Sequence, residues 1–345
     1  MKRVKSTEIA NILGVSKATV SLALNGKPGV SSQTRQEVLA LKAKLEQSDG
    51  LYAFPDPHGQ GDIKLVVVLN GKDVVQNNAI DLWTPVLIRT QEKAKEMGYT
   101  LGLIYFNPSK DSLPELEQEC NANTVAGVLV VGTEMDETQS DLFRGIRKPM
   151  MVYDCDYCED QAPCVIVNNY RGVIHLVDYL AHQGLHDIFY LSSEINIFNM
   201  AERRRGFLDG MQKHRISDEK ERIISLSDSI PLAKERFRRW LDNHPLPEAF
   251  IMESYHVSIA CLQELRERGI QIPEDVSLIG IDELPSYLLE EFPLTMLRVP
   301  HIERVDWCMR LLHEEICNPT RLKASVRLNC ELVERSSVRK LPQKS

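Results

Sequence analysis

The chain has 345 residues, 43% of them hydrophobic and 26% charged, with a formal net charge of −8. That length exceeds one ordinary compact domain, and the composition is that of a globular protein rather than a fibrous or disordered one. No apolar run is long enough to span a membrane, and the basic start, Met1 to Gly14, lacks the apolar core of a secretory signal, so a cytoplasmic location is expected.

Charge is unevenly placed. Residues 1–50 carry eight Lys/Arg against four acids, a balance of +4 that leaves −12 for the remainder. A basic head on an acidic body fits a polyanion-binding module that the body does not share. Within the head, Ser6 or Thr7 can cap a first helix with Ile9, Ala10 and Leu13 at helical spacing. Gly14 turns the chain, and Ser16 caps a second helix running through Asn25, with Val20, Ala23 and Leu24 on its inner face. Gly26 and Pro28 stop it, and Ser31 starts a third helix to about Leu45, striped by Val38, Leu41 and Leu45. Two short helices joined by a tight turn form a helix-turn-helix, whose second helix enters the DNA major groove. Ser16, Lys17, Ala18, Thr19 and Ser21 are the small or polar residues that such an approach needs.

The run Val4 to Val38 resembles the DNA-binding head of the lactose-repressor (LacI/GalR) family. It matches that family's pattern at Thr7, Ile9, Ala10, Gly14, Val15, Ser16, Thr19, Val20, Ser21, Leu24, Asn25, Val30, Ser31, Thr34 and Arg35. The resemblance implies a double-stranded, pseudo-palindromic DNA operator, with Lys5, Thr7, Asn25, Ser31 and Thr34 joining the groove residues as DNA contacts. Leu22 stands where the family commonly has Arg, so one contact is absent. In the linker, Tyr52 and Pro55 match, but Pro55, Pro57, Gly59 and Gly61 are poor helix material, and an irregular linker without a minor-groove wedge is expected.

From Ile63 the pattern changes. Apolar runs IKLVVVL, YTLGLIYF, VAGVLVVG, MMVYD, CVIVN, IFYLS, AFIM and VSLIGID read as buried strands, separated by amphipathic stretches such as Pro85 to Gly98. Strands alternating with helices predict parallel sheets covered on both faces, with ligands outside the carboxyl ends of the strands. The expected organisation is a helix-turn-helix domain over 1–47, a linker over 48–62, a body of two α/β subdomains over 63–338 and a tail over 339–345. The eight cysteines are expected to stay reduced, and Cys155, Cys158 and Cys164 read as a surface loop lacking a fourth zinc ligand. No metal or cofactor is expected.

The resemblance extends through KEMGYTL, RRRGF, ERGIQIPEDVSLIGID, FPLTMLRVP and LVERS. It implies a periplasmic-binding-protein-like body that dimerises and holds a small-molecule effector, a sugar or related metabolite, in an interdomain cleft. Carried over by motif, Arg203 grips the effector, Asp282 accepts from its hydroxyls and Trp83 stacks on it. Asn168 and Ser254 stand where relatives carry Asp and Asn. The structural alternatives are an ion-pair role for Arg203, a helix cap for Asp282 and a core place for Trp83. The implied function is an effector-modulated, dimeric transcriptional repressor. Two other readings stay open: a DNA-binding protein whose body only dimerises, and an α/β enzyme or solute-binding protein. No phosphate loop, nucleophile elbow or His-Glu-x-x-His motif is present to support an enzyme.

Overall fold

In the computed structural model the described residues are 10, 15–25, 27, 29–31, 34–35, 38–39, 60–72, 83–216, 220–319 and 323–340. The chain separates into two compact units, Met1–Asp56 and Pro57–Ser345. In the first, helix α1 spans Lys17–Leu24, and the Ser16 hydroxyl accepts from the Thr19 N–H, satisfying one of the donors that open a helix. Val20 and Ala23 of α1 are buried with Ala10 and Val38, and Val15, Leu24 and Val30 pack around them. Asn25 ends the helix by donating its amide to the Ser21 carbonyl. The first helix's cap and Ile9 and Leu13, the stops at Gly26 and Pro28, most of the third helix and the linker 48–59 lie outside the described residues.

The larger unit is the expected pair of α/β subdomains. In the first, β1 (Asp62–Val68), β2 (Thr100–Phe106), β3 (Val125–Val131), β4 (Met150–Tyr153) and β5 (Cys164–Val167) pair in parallel, with β11 (Val326–Leu328) added beside β5. Their order is β2-β1-β3-β4-β5-β11. The second repeats it as β7-β6-β8-β9-β10-β12, built from β6 (Ile188–Ser192), β7 (Ile223–Ser225), β8 (Ala249–Met252), β9 (Ser277–Ile281), β10 (Thr295–Arg298) and β12 (Glu331–Val333). Among the described strands only the β10–β12 pair is antiparallel. Interior strands read as unbroken apolar runs because both faces are covered, as the burial of every residue in β4, β5, β8 and β9 reflects.

Helices α2 (Thr84–Glu96), α3 (Leu113–Cys120) and α9 (His301–Cys317) pack on the first sheet. Helices α4 (Asn169–His182), α5 (Phe198–Lys213), α6 (Ile230–Asn243), α7 (Tyr255–Glu267) and α8 (Ser286–Glu291) belong with the second. The chain therefore crosses between subdomains three times: after β5, after β10 and between β11 and β12. Gly206 in α5 is fixed by the close approach of α4, since a Cβ there would meet the Tyr170 carbonyl oxygen at 2.4 Å.

The surface-loop reading of Cys155, Cys158 and Cys164 is corrected. All three are buried free thiols within the first subdomain's core, packed with residues such as Val152 and Phe198. The segment after β4 folds its apolar side chains inward rather than toward solvent. Burial pushes Cys155 up to about 12 and Cys158 up to about 11.

Candidate functional site

The carboxyl ends of the two sheets converge on one cavity of about 70 Å³, room for a few water molecules. Residues just past β3, β4, β6, β7, β8 and β9 line it, namely Thr133, Asp154, Ser193, Asp228, Ser254 and Asp282. Asp154 and Asp282 occupy equivalent places, each directly after its strand and each in the left-handed region, at φ 75° and 76°. Asp is among the few residues that tolerate this backbone without a large penalty.

Helix α9 supplies partners for both. Arg304 pairs with Asp154, which also accepts from the Thr133 hydroxyl at 2.7 Å. Arg304 Nη2 donates to His301 Nδ1 at 2.8 Å, so the ring proton sits on Nε2, which donates to Asp282 Oδ1 at 2.7 Å. From the other side Arg203 Nη2 lies 3.4 Å from Asp282 Oδ2. Arg203 further donates to the Asn169 side chain at 2.8 Å and to the Glu253 carbonyl at 2.7 Å. Burial pushes the Asp282 carboxyl up, but Arg203 and His301 beside it outweigh that and hold it at about 2.

Behind this row lies a third ion pair. Glu253 is fully buried at the end of β8 and accepts from Arg204 Nε at 2.9 Å, from the Ser193 N–H at 2.7 Å and from the Ser193 hydroxyl at 3.1 Å. Arg204 also donates to the Ser193 and Ile195 carbonyls. The pair thus clamps the loop carrying Ser193, Ile195 and Ile197, all of which line the cavity. Burial pushes Glu253 above the usual carboxylate range, opposed by Arg204.

Of the five residues expected at an effector site, Trp83, Arg203, Ser254 and Asp282 line the cavity together. Asn168 does not. It sits at the first crossover, where its N–H donates to the Leu328 carbonyl and its amide to the Asn329 side chain at 2.9 Å, tying two crossovers together. Its neighbour Asn169 faces the cavity instead. Asp154, Asp228, His301 and Arg304 were not singled out from sequence; the one visible signal is that MMVYD and LIGID each end an apolar run on Asp.

In the head, Ser16, Lys17, Ala18, Ser21, Asn25 and Ser31 are exposed or nearly so, and Thr19 and Thr34 half-buried. Ser16 and Thr19 share a 2.8 Å hydroxyl bond, and Ser31 and Thr34 repeat it, so both Ser-x-x-Thr pairs build helix starts. Lys5 and Thr7 lie outside the described residues.

A helix-turn-helix signature ahead of two α/β lobes with a polar cavity between their strand ends defines a class of DNA-binding regulators with a periplasmic-binding-protein-like body. Residues 7–46 match the model for bacterial regulatory proteins of the lacI family, and residues 177–338 match the periplasmic binding protein-like domain. The HTH-type transcriptional repressor PurR of Mannheimia succiniciproducens is 24% identical over 335 residues, covering 97% of this chain and 98% of that one. The transcriptional regulator CelR in complex with cellobiose aligns with a TM-score of 0.68 at 21% identity, covering 97% of this chain and all of that one. The lac repressor dimer bound to operator and the anti-inducer ONPF aligns at 0.66 with 18% identity, over 97% of this chain and 99% of that one. The chain thus combines a head that matches the lacI-family model with a periplasmic binding protein-like domain, and it is similar along nearly its whole length to LacI-family repressors. Among the described residues no helix is long and apolar enough to cross a membrane.

Proposed function

We propose that the protein is a cytoplasmic, homodimeric repressor that acts by binding rather than turnover. Its head, residues 1–47, reads a pseudo-palindromic operator, and its body, 63–338, holds a small hydroxyl-rich effector in the cleft. The observation that carries the reading is the cavity at the strand ends, where Arg203 and Asp282 meet among side chains from both sheets. A guanidinium fork beside a carboxylate offers donors and acceptors to vicinal hydroxyls. The cellobiose complex of a structural relative supports the sugar class. Dimerisation is supported by apolar side chains at the surface: Leu103 and Tyr105 on edge strand β2 are 46% and 54% exposed, and Ile88 on α2 and Tyr287 on α8 are exposed as well. In the head, Lys17, Ala18 and Ser21 present the exposed outer face of α1 to a groove.

The test is selection of bound genomic fragments by the full-length protein, with and without sugars, repeated with the Lys17→Ala/Thr19→Ala variant. The variant is expected to lose ten- to a hundredfold in specific operator affinity while remaining dimeric, as about 1–3 kcal/mol per base contact implies. An unchanged operator affinity would remove α1 from the groove.

A further inference from the structure

The aspartates and arginines lining the cavity form pairs with one exception. Arg203 faces Asp282, Arg304 faces Asp154, and His301 bridges Asp282 to Arg304. Asp228, just past β7 in the second subdomain, lines the same cavity and is half-buried. Among the described residues its only hydrogen bond is a long one, 3.3 Å, from the Ser227 hydroxyl, and no Lys, Arg or His of that set lies within ion-pair distance of it. Asp228 is thus the one carboxylate of the lining with no Arg set against it. A carboxylate held in a partly closed cleft without a cation gains most from a ligand that brings one. The opposite wall offers donors instead: Arg304 Nε and Tyr153 Oη are buried with no hydrogen-bond partner among the described residues. An acceptor on one lobe and donors on the other fit a ligand with a cationic group at one end and hydroxyl or ring oxygens at the other.

We infer that the effector carries a protonated amine, received by Asp228, on a hydroxyl-rich skeleton; an amino sugar is the simplest member of that class. The inference rests on the effector reading above and narrows it. A neutral sugar would leave Asp228 to an ordinary hydroxyl bond, whereas an ammonium group forms a charge-assisted one.

The test is calorimetric titration of the full-length protein with matched sets of gluco-, galacto- and manno-configured hexoses. Each is supplied as the parent sugar, the 2-amino-2-deoxy sugar and its N-acetyl derivative. At least one amine is expected to bind tenfold or more tightly than both its parent and its N-acetyl form. Asp228→Asn is expected to erase that preference and Asp228→Glu to retain it, with circular dichroism reporting that both variants fold. Sugar binding in which no amine exceeds both its parent and its N-acetyl form tenfold would overturn the inference and leave the effector reading standing. A preference surviving Asp228→Asn would do the same. No binding by any sugar would overturn both.

Discussion

Asp282→Asn is the substitution that probes the cleft most directly. Asn has the same shape and tolerates the left-handed backbone that Asp282 adopts at φ 76°, so the change removes charge without adding strain. The carboxyl is held at about 2, against an unfolded value near 3.9. A folded value below the unfolded one means that stabilisation is complete above pH 4 and fades as the pH falls from 4 toward 2. The difference between the two values is worth about 2 kcal/mol. Urea unfolding of wild type and variant, followed by tryptophan fluorescence between pH 7 and pH 3, reads this contribution. The stability gap at neutral pH is expected to be about 1 kcal/mol larger than at pH 3, closing progressively below pH 4. A gap that stays constant with pH would show that Arg203 and His301 do not act on Asp282 through its charge.

Two further substitutions probe the support of the site. Gly206→Ala drives a methyl group into the Tyr170 carbonyl, a backbone atom that cannot swing aside, and α5 must move off α4. A loss of about 1–3 kcal/mol in chemical denaturation is expected, together with weaker effector binding because Arg203 rides on the same helix. Wild-type stability would remove the close contact as the reason for the glycine. Glu253→Ala strands Arg204 and both Ser193 donors; Arg204 is partly exposed, so the loss is expected near the lower end of the range for a broken buried pair, about 3 kcal/mol. The double change Glu253→Leu/Arg204→Met is expected to recover only the part due to the stranded Arg204 charge, because the Ser193 donors stay unmet, and a double variant as unstable as Glu253→Ala would refute the ion-pair account.

The body's architecture was legible because interior parallel strands must be apolar on both faces. All eight runs read from the sequence became strands. Three of the four strands that went unread, β7, β11 and β12, are three-residue edge strands, half-buried at most, so they carry no apolar run. The fourth, β10, is interior but only four residues long and sits between prolines 293 and 300. Within the site, Arg203 and Asp282 were readable because each stands in a motif whose glycine or strand fixes its direction. The register at 168–169 slipped by one, since a residue at a crossover obeys neither the strand's alternation nor the helix's period. His301 and Arg304 come from a helix far along the chain, and only the fold brings them to Asp154 and Asp282.

That pairing has an asymmetry with a mechanical consequence. Helix α9 packs on β3, β4 and β5, so Arg304 and Asp154 belong to the same subdomain and move together. Asp282 belongs to the other sheet, which makes His301 to Asp282 a hydrogen bond that crosses the cleft. Any separation of the lobes must lengthen that bond while leaving the Arg304–Asp154 pair intact. A ligand that takes over Asp282 competes with His301 in the closed spacing and meets no competitor once that bond is broken, so it favours separated lobes. One that also bridges from Asp282 to the Arg304 side holds the lobes together and favours the closed spacing. The direction in which the cleft controls the head therefore depends on whether the effector spans both lobes.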